Sequence, residues 1–163
     1  MKLYLKQKFF SWKDKGTVTD EYGNERYYIE GEILSLGKKL HISDANGTEV
    51  ACVRQKVMSF MPRFFVEIGG EEKAQIVKKF SFFKPKYYVQ GPEWDVAGDV
   101  FGHDYTVSAG EIPVVSVHKK WMSWGDSYEL DIAGTADEIL ALATVLAIDA
   151  VLDAQESNAA AST

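Results

Sequence analysis

The sequence predicts a mainly β protein, a closed antiparallel β-barrel wrapped around a buried C-terminal hydrophobic α-helix. Turn signals such as Asn46-Gly47 and Gly69-Gly70 recur at short intervals, and the runs between them are rich in Tyr, Val, Ile and Phe, which favour strands. After Gly134 this pattern stops, and an apolar segment with helix-forming residues follows. The 163 residues, 46% of them apolar, are enough for one domain with a sizeable core.

The strands are predicted from alternation and from turn chemistry. In "SYELDIA", apolar side chains at every second position alternate with Glu129 and Asp131, as in a strand with one buried face. Asn46-Gly47 supplies the positive φ angles of a tight hairpin, and Gly69-Gly70 does the same between "RFFVEI" and "KAQIVKKF". Most of the chain before Gly134 is therefore expected to form antiparallel strands.

Two segments of this β region resemble each other. Residues 42–68 and 107–132 share the pattern Lys-x-Met-Ser-aromatic, which begins at Lys56 and at Lys120, and five residues later each has an apolar–acidic–Ile end. We interpret the two segments as an internal duplication. The alternative is that strand-turn-strand units simply resemble one another, and with only two copies the chain is no solenoid or propeller.

The terminal helix is predicted to lie inside the protein. Asp137 and Glu138 suit its N-terminal end, and from Ile139 to Ile148 only Thr144 is polar, so apolar side chains cover every face. A membrane span needs roughly 20 consecutive apolar residues, whereas ten separate the flanking acids here. A barrel that encloses the helix is the remaining solution. We therefore expect one domain over residues 1–153 and a flexible tail over 154–163.

Charge and cysteine content narrow the class of protein. Residues 1–90 carry 16 Lys and Arg against 11 Asp and Glu, whereas residues 91–163 carry 2 against 13. This asymmetry disfavours a nucleic-acid binder, which needs a broad positive face. The single cysteine, Cys52, excludes an internal disulfide, and "MKLYLKQKFFSW" lacks the apolar stretch of a signal peptide. We expect a cytoplasmic protein without a transmembrane span.

Three motifs together identify a family resemblance. The chain is similar to the LURP-one-related family from about Tyr4 to Leu152. The similarity is carried by "GPEWDVAGDVFGHDYTV", by "VHKKWMSWGDSYELDI" and by the apolar helix that contains Asp149. That family is grouped with the tubby C-terminal domain and the phospholipid scramblases. The resemblance implies a β-barrel around a C-terminal hydrophobic helix. It implies no single activity, because members of the superfamily differ in function.

The strongest candidate site is "KKFSFFKPKYY", residues 78–88, which combines lysines and aromatic residues without an acid. Lysines attract anionic head groups and aromatic rings favour the membrane interface. Tubby domains bind phosphoinositides through basic side chains, so the resemblance implies a ligand of this class. The predicted anionic-ligand residues are Lys78, Lys79, Lys84 and Lys86, and the predicted membrane-interface residues are Phe82, Phe83 and Tyr87. The alternative is an ordinary hairpin around Lys84-Pro85, with aromatic side chains inward and lysines outward.

A second candidate is an acidic cluster close to the helix, formed by Asp126, Glu129, Asp131, Asp137 and Glu138. Scramblases respond to calcium through an acidic segment at a similar place. The spacing here does not match the EF-hand loop, and Asp137 and Glu138 already suit the start of the helix. We predict no metal site.

Catalytic patterns are weak. The three histidines show no ligand-like spacing, and a Cys52–His118 pair would require the two repeats to lie side by side. We expect no catalytic residues and no cofactor. The leading hypothesis is a non-enzymatic binder of an anionic phospholipid, or of a phosphoinositide, at the cytosolic membrane surface. The alternative is a protein-interaction scaffold that uses the acidic C-terminal half.

Overall fold

The computed structural model describes residues 1–6, 15–34, 37–58, 60–61, 63–79, 81–122 and 125–162. In these ranges the chain forms twelve strands, β1 to β12, followed by one helix, α1. The strands are β1 (Lys2–Lys6), β2 (Lys15–Asp20), β3 (Glu25–Leu34), β4 (Gly37–Asp44), β5 (Glu49–Gln55), β6 (Phe64–Ile68), β7 (Glu71–Lys79), β8 (Lys86–Gln90), β9 (Trp94–Asp99), β10 (Asp104–Ala109), β11 (Ile112–Met122) and β12 (Gly125–Ile132). The helix α1 spans Glu138–Ala161.

The twelve strands close into one antiparallel barrel in which each strand pairs with its neighbours in sequence. β1 completes the ring, because it pairs with β12 on one side and with β2 on the other. Leu3 of β1 lies opposite Leu130 of β12, and Leu5 lies opposite Tyr128. All four side chains are buried. The predicted fold class is therefore confirmed, and closure leaves the strands of this ring without an unpaired edge.

The helix occupies the interior of the barrel. Every residue from Ala141 to Leu152 is buried, including Thr144 and Asp149. The alanines keep the helix narrow, so that inward-facing Val, Ile, Leu and aromatic side chains of the strands surround it in one core. The predicted alternation in β12 is observed at Tyr128, Leu130 and Ile132, which face this core. Within the part of the chain that the structure describes, no helix has the length and apolar character needed to cross a bilayer.

The two ends of α1 identify the two ends of the barrel. At the first end, the backbone N–H of Leu140 donates to the Asp137 side chain over 2.9 Å, and the Tyr27 hydroxyl near the β2–β3 turn donates to Glu138 over 2.8 Å. At the other end, the Tyr87 hydroxyl of β8 donates to Gln155. We call this the exit end. It holds the connections between β3 and β4, β5 and β6, β7 and β8, and β9 and β10, because successive antiparallel connections alternate between ends.

The helix continues beyond the barrel core. Ala154 is still buried, whereas the residues from Glu156 to Ser162 are exposed. The tail predicted over 154–163 thus begins inside the helix, which ends at Ala161. The predicted boundary between residues 153 and 154 therefore falls within α1, directly before Ala154, the last buried residue of the described helix.

The two segments interpreted as a duplication occupy equivalent places in the ring. Residues 42–68 run from the end of β4 through β6, and residues 107–132 run from the end of β10 through β12. The two sets are six strands apart in a ring of twelve. The pairing register also shifts at the same point of each segment, after Ile42 in one and after Val107 in the other. Register shifts also occur after Val18 and after Val66, so the duplication stays a prediction from the sequence.

Candidate functional site

The hairpin of β7 and β8 carries the predicted basic and aromatic residues at the exit end. Lys78 and Lys79 end β7, and the connection to β8 projects the Phe82 and Phe83 rings into solvent with exposed fractions of 101% and 96%. Lys84 lies in the same connection. Together these five residues line an open cavity of about 280 Å³, closed on its other sides by Met61, Ser81 and Pro85. The structure therefore brings three of the four predicted lysines and both phenylalanines together.

Lys86 lies apart from this cavity. It pairs in register with Lys79 on the outer face of the barrel, because the residue after it, Tyr87, points inward. Lys79 is partly engaged on that face: its Nζ is 3.8 Å from the Asp95 carboxylate and 4.1 Å from the centre of the Tyr88 ring. Lys78 and Lys84 thus contribute to the cavity without such a competing carboxylate contact in the described residues.

The prediction that Tyr87 is a membrane-interface residue is wrong. Its side chain is 2% exposed and packs in the barrel core, where its hydroxyl donates to Gln155 of α1 over 3.1 Å. Burial raises the pKa of Tyr87. The physical reason is strand alternation, since Tyr87 and Val89 face the helix while Lys86 and Gln90 face solvent.

The structure adds exposed apolar residues that the sequence prediction missed. Met58 and Phe60 lie in the connection between β5 and β6 and are fully exposed, and Phe101 lies half-exposed between β9 and β10. They belong to a larger set at the exit end, the exit rim, which consists of Ile33, Leu34, Val57, Met58, Phe60, Phe82, Phe83 and Phe101. The sequence signal for Met58, Phe60 and Phe101 is a methionine or aromatic residue close to Ser, Pro or Gly, in connections that the sequence analysis did not assign.

The opposite end of the barrel has a different character. Among the described residues, its exposed large apolar side chains are Met1, Tyr22, Tyr28 and Ile112. Single exposed apolar side chains are ordinary on a protein surface, but twice as many of them lie at the exit end as at the opposite end. The exit rim is therefore the distinctive surface of the molecule.

The residues of the predicted acidic cluster do not form one site, and several of them make separate structural contacts. Glu129 accepts hydrogen bonds from Lys2 and from the Tyr4 hydroxyl on the outer face of the barrel, at 3.0 Å each. Asp137 caps the helix and Glu138 binds Tyr27. Asp131 is exposed on β12, and the side chain of Asp126 lies outside the described residues. No group of three or more His, Cys, Asp or Glu side chains in the described ranges is placed to hold a metal ion.

The considered Cys52–His118 pair does not form. Cys52 is on β5 and His118 on β11, six strands apart and on opposite sides of the ring. Burial raises the pKa of the Cys52 thiol to about 11, which disfavours the thiolate. His41 lies opposite Cys52 in the register, but its ring nitrogens are 2.6 and 2.9 Å from carboxylates of Glu49 and Glu32. Neither histidine is therefore placed to activate the thiol.

Fold and rim together define a class of protein: a closed antiparallel barrel around a central C-terminal helix, with its apolar surface gathered where the helix emerges. The profile of the LURP-one-related family matches residues 1–149, and the chain belongs to that family. It is 38% identical over 152 residues to the uncharacterized protein YxjI of Bacillus subtilis (strain 168), covering 93% of this chain and 94% of that protein.

A solved structure shares the fold. The X-ray structure of the Arabidopsis thaliana protein AT5G01750 superposes with a TM-score of 0.67 at 19% identity, over 93% of this chain and 90% of that one. At this identity the likeness concerns the fold. Neither relative brings an assigned activity, so the function has to be inferred from the site itself.

Proposed function

We propose that this chain is a non-enzymatic, peripheral binder of anionic phospholipid surfaces, and that it docks with its exit end toward the bilayer. One observation carries the proposal: fully exposed phenylalanine rings and lysines lie together around one cavity at the end where the apolar rim is gathered. Such a surface matches the membrane interface, where rings enter the headgroup layer and lysines meet anionic lipid.

The energetics favour contact with a charged bilayer. Phe82 and Phe83 contribute no buried area to the folded protein, so their burial in a bilayer is a net gain. Each lysine close to an anionic surface contributes about 1 kcal/mol. Lys78 and Lys84 come from a strand and a connection, respectively, and flank the same cavity. An anionic headgroup in the cavity would therefore be approached by ammonium groups from two sides.

The direct test is co-sedimentation with neutral and with anionic vesicles at low and at high salt. Lys84→Glu places a negative charge at the cavity, and we expect an affinity loss of about 2 kcal/mol, or about thirtyfold, at low salt. The matched control is Lys73→Glu, because Lys73 is also an exposed lysine but lies near the start of β7, at the opposite end of the barrel. We expect the control to bind anionic vesicles almost as well as the unmodified chain.

Two results would count against the proposal. Equal losses for the two variants would mean that net charge, and not the exit end, governs binding. Absence of binding to anionic vesicles at low salt would rule out the lipid role and favour the alternative, a protein-interaction scaffold. Retention of a specific protein partner in high salt would then support that alternative.

A further inference from the structure

A second cavity at the exit end lies directly beside α1. It measures about 270 Å³ and is lined by Phe101 and His103 of the β9–β10 connection, Tyr128 of β12, and Asp149, Leu152, Asp153 and Glu156 of α1. Its walls come from three separate parts of the chain, and its polar groups are mostly carboxyl groups. The cavity near Lys78 is basic, so it differs in charge from this cavity.

The three acids share one face of the helix. Asp149, Asp153 and Glu156 are spaced by four and three residues, which places them one above another. The Nζ of Lys38 lies 3.6 Å from the Asp153 carboxylate and balances one of the charges. The described residues around the cavity therefore retain an excess of carboxyl groups.

Asp149 provides a second, independent observation. The residue is only 4% exposed, in the middle of an apolar helix, yet it lines the cavity. Its buried Oδ1 is paired with His103 Nδ1 at 3.5 Å, which is longer than a normal hydrogen bond, so this contact only partly offsets the burial of the carboxylate. A buried carboxylate whose hydrogen bonding is incomplete destabilises the folded protein unless a ligand or water completes it.

The groups around Asp149 favour a cation as the partner of its carboxylate. Burial raises the pKa of the Asp149 carboxyl, and burial followed by the charge of Asp149 raises that of the nearby Tyr105 hydroxyl. Since the Tyr105 hydroxyl has no hydrogen-bond partner among the described residues, it does not supply a donor. A bound cation would stabilise the Asp149 carboxylate in this setting.

Aromatic rings complete the site. His103 stacks on Tyr128 with ring centres 4.3 Å apart, and Phe101 is half-exposed at the opening. Ring faces attract ammonium groups, and aromatic residues combined with carboxylates are the usual recognition elements for organic cations. Because no group of acids and histidines in the described ranges is placed to hold a metal ion, an organic cation fits better than a bare one.

We infer that this cavity binds a small organic ammonium group, with Asp149 and Glu156 as its carboxylate partners and Phe101 and Tyr128 as its aromatic walls. The site does not depend on the proposed membrane role. Its ammonium group has two possible sources: a free amine in solution, or the headgroup amine of a lipid such as phosphatidylethanolamine, since Phe101 belongs to both this cavity and the exit rim.

The test follows the histidine ring signals by NMR while ethanolamine is added to the full chain. The chain has three histidines, and His41 and His118 lie on the outer face of the barrel as internal controls. We expect a saturable shift of the His103 signals alone. Glu156→Gln changes an exposed residue and should weaken binding several-fold, and Asp149→Asn should weaken it about tenfold or more. Glu93→Gln, at the opposite end of the barrel, should have no effect.

The inference is overturned if His103 shows no saturable shift with ethanolamine, or if binding is unchanged in both Asp149→Asn and Glu156→Gln. Glu156→Gln keeps the test decisive should Asp149→Asn fail to fold. Neutral vesicles with and without phosphatidylethanolamine then separate the two sources. If phosphatidylethanolamine increases vesicle binding and Glu156→Gln abolishes that increase, the ligand is the lipid headgroup. If free ethanolamine shifts the His103 signals but the lipid does not increase vesicle binding, the ligand is a soluble amine. Because these vesicles carry no net charge, this result is independent of binding to anionic lipid.

Discussion

The exposed rings of the β7–β8 connection allow the sharpest prediction about membrane docking. We expect the double variant Phe82→Ser/Phe83→Ser to lose affinity for anionic vesicles without any change in folding. Both rings are fully exposed in the structure, so their removal breaks no packing contact. Surface substitutions of this kind change the free energy of unfolding by less than about 0.5 kcal/mol.

The size of the loss follows from the area that each ring would bury. Full burial of a phenylalanine side chain is worth about 1.5–3 kcal/mol. A ring at the headgroup level is only partly buried, so we take about 1 kcal/mol for each, or about 2 kcal/mol for the pair. The lipid concentration for half-maximal binding should therefore rise about thirtyfold.

Salt dependence separates this loss from an electrostatic one. Burial of apolar area is not screened by ions, whereas attraction between lysines and anionic headgroups falls as the Debye length shrinks. In co-sedimentation titrations, the fractional loss for the ring variant should be the same at low and high salt, while the loss for Lys84→Glu should shrink at high salt.

Tyr22→Ser is the matched control, because Tyr22 is 83% exposed at the opposite end of the barrel. Unchanged binding of the ring variant, or an equal loss for Tyr22→Ser, would refute the end-on geometry. A parallel urea titration of all three chains confirms that they unfold at the same midpoint.

Three further predictions concern the barrel itself. Asp137→Ala removes the helix cap and should lower the free energy of unfolding by about 1 kcal/mol in urea titrations, and Asp137→Ser should restore most of it. Because the pKa of Cys52 is about 11, iodoacetamide at pH 8 should alkylate it only after unfolding; rapid labelling of the folded chain would contradict the assigned burial. Burial lowers the pKa of His41, but the hydrogen bonds that its ring donates to the Glu32 and Glu49 carboxylates outweigh burial and raise the folded pKa above 6.5. The stability lost in His41→Gln should thus be largest below pH 6.5 and disappear as pH rises through the folded pKa; a loss growing with pH would contradict this sign.

The fold was predictable because its signals are local. Ten residues that are apolar on all faces, between acids, are too short for a bilayer and too uniform for a surface helix, so enclosure by the strands was the remaining solution. Turns such as Asn46-Gly47 marked the hairpins. The number of strands was not predictable, because short strands with weak alternation, such as β9, are recognisable only by their partners.

The candidate site was predicted in part, and its error is instructive. Grouping "KKFSFFKPKYY" by composition placed Tyr87 with Phe82 and Phe83, whereas period-two alternation places it with Val89 in the core. Composition describes a segment as a whole, but exposure is decided residue by residue once the strand begins at Lys86. The inward–outward alternative for this hairpin describes Tyr87 correctly, and for Phe82 and Phe83 the interface role stays a prediction.

The exit rim as a whole could not be predicted from the sequence, for a different reason. Ile33, Met58, Phe82 and Phe101 are far apart in sequence and meet only because every second connection of an antiparallel ring falls at the same end. The surroundings of Asp149 could not be predicted for the same reason. The sequence shows an Asp within an apolar helix, but only the position of the β9–β10 connection places His103 beside it. In a barrel of this kind, strand number must be known before separate turns can be assigned to one surface. A single error in counting strands would assign every later connection to the wrong end.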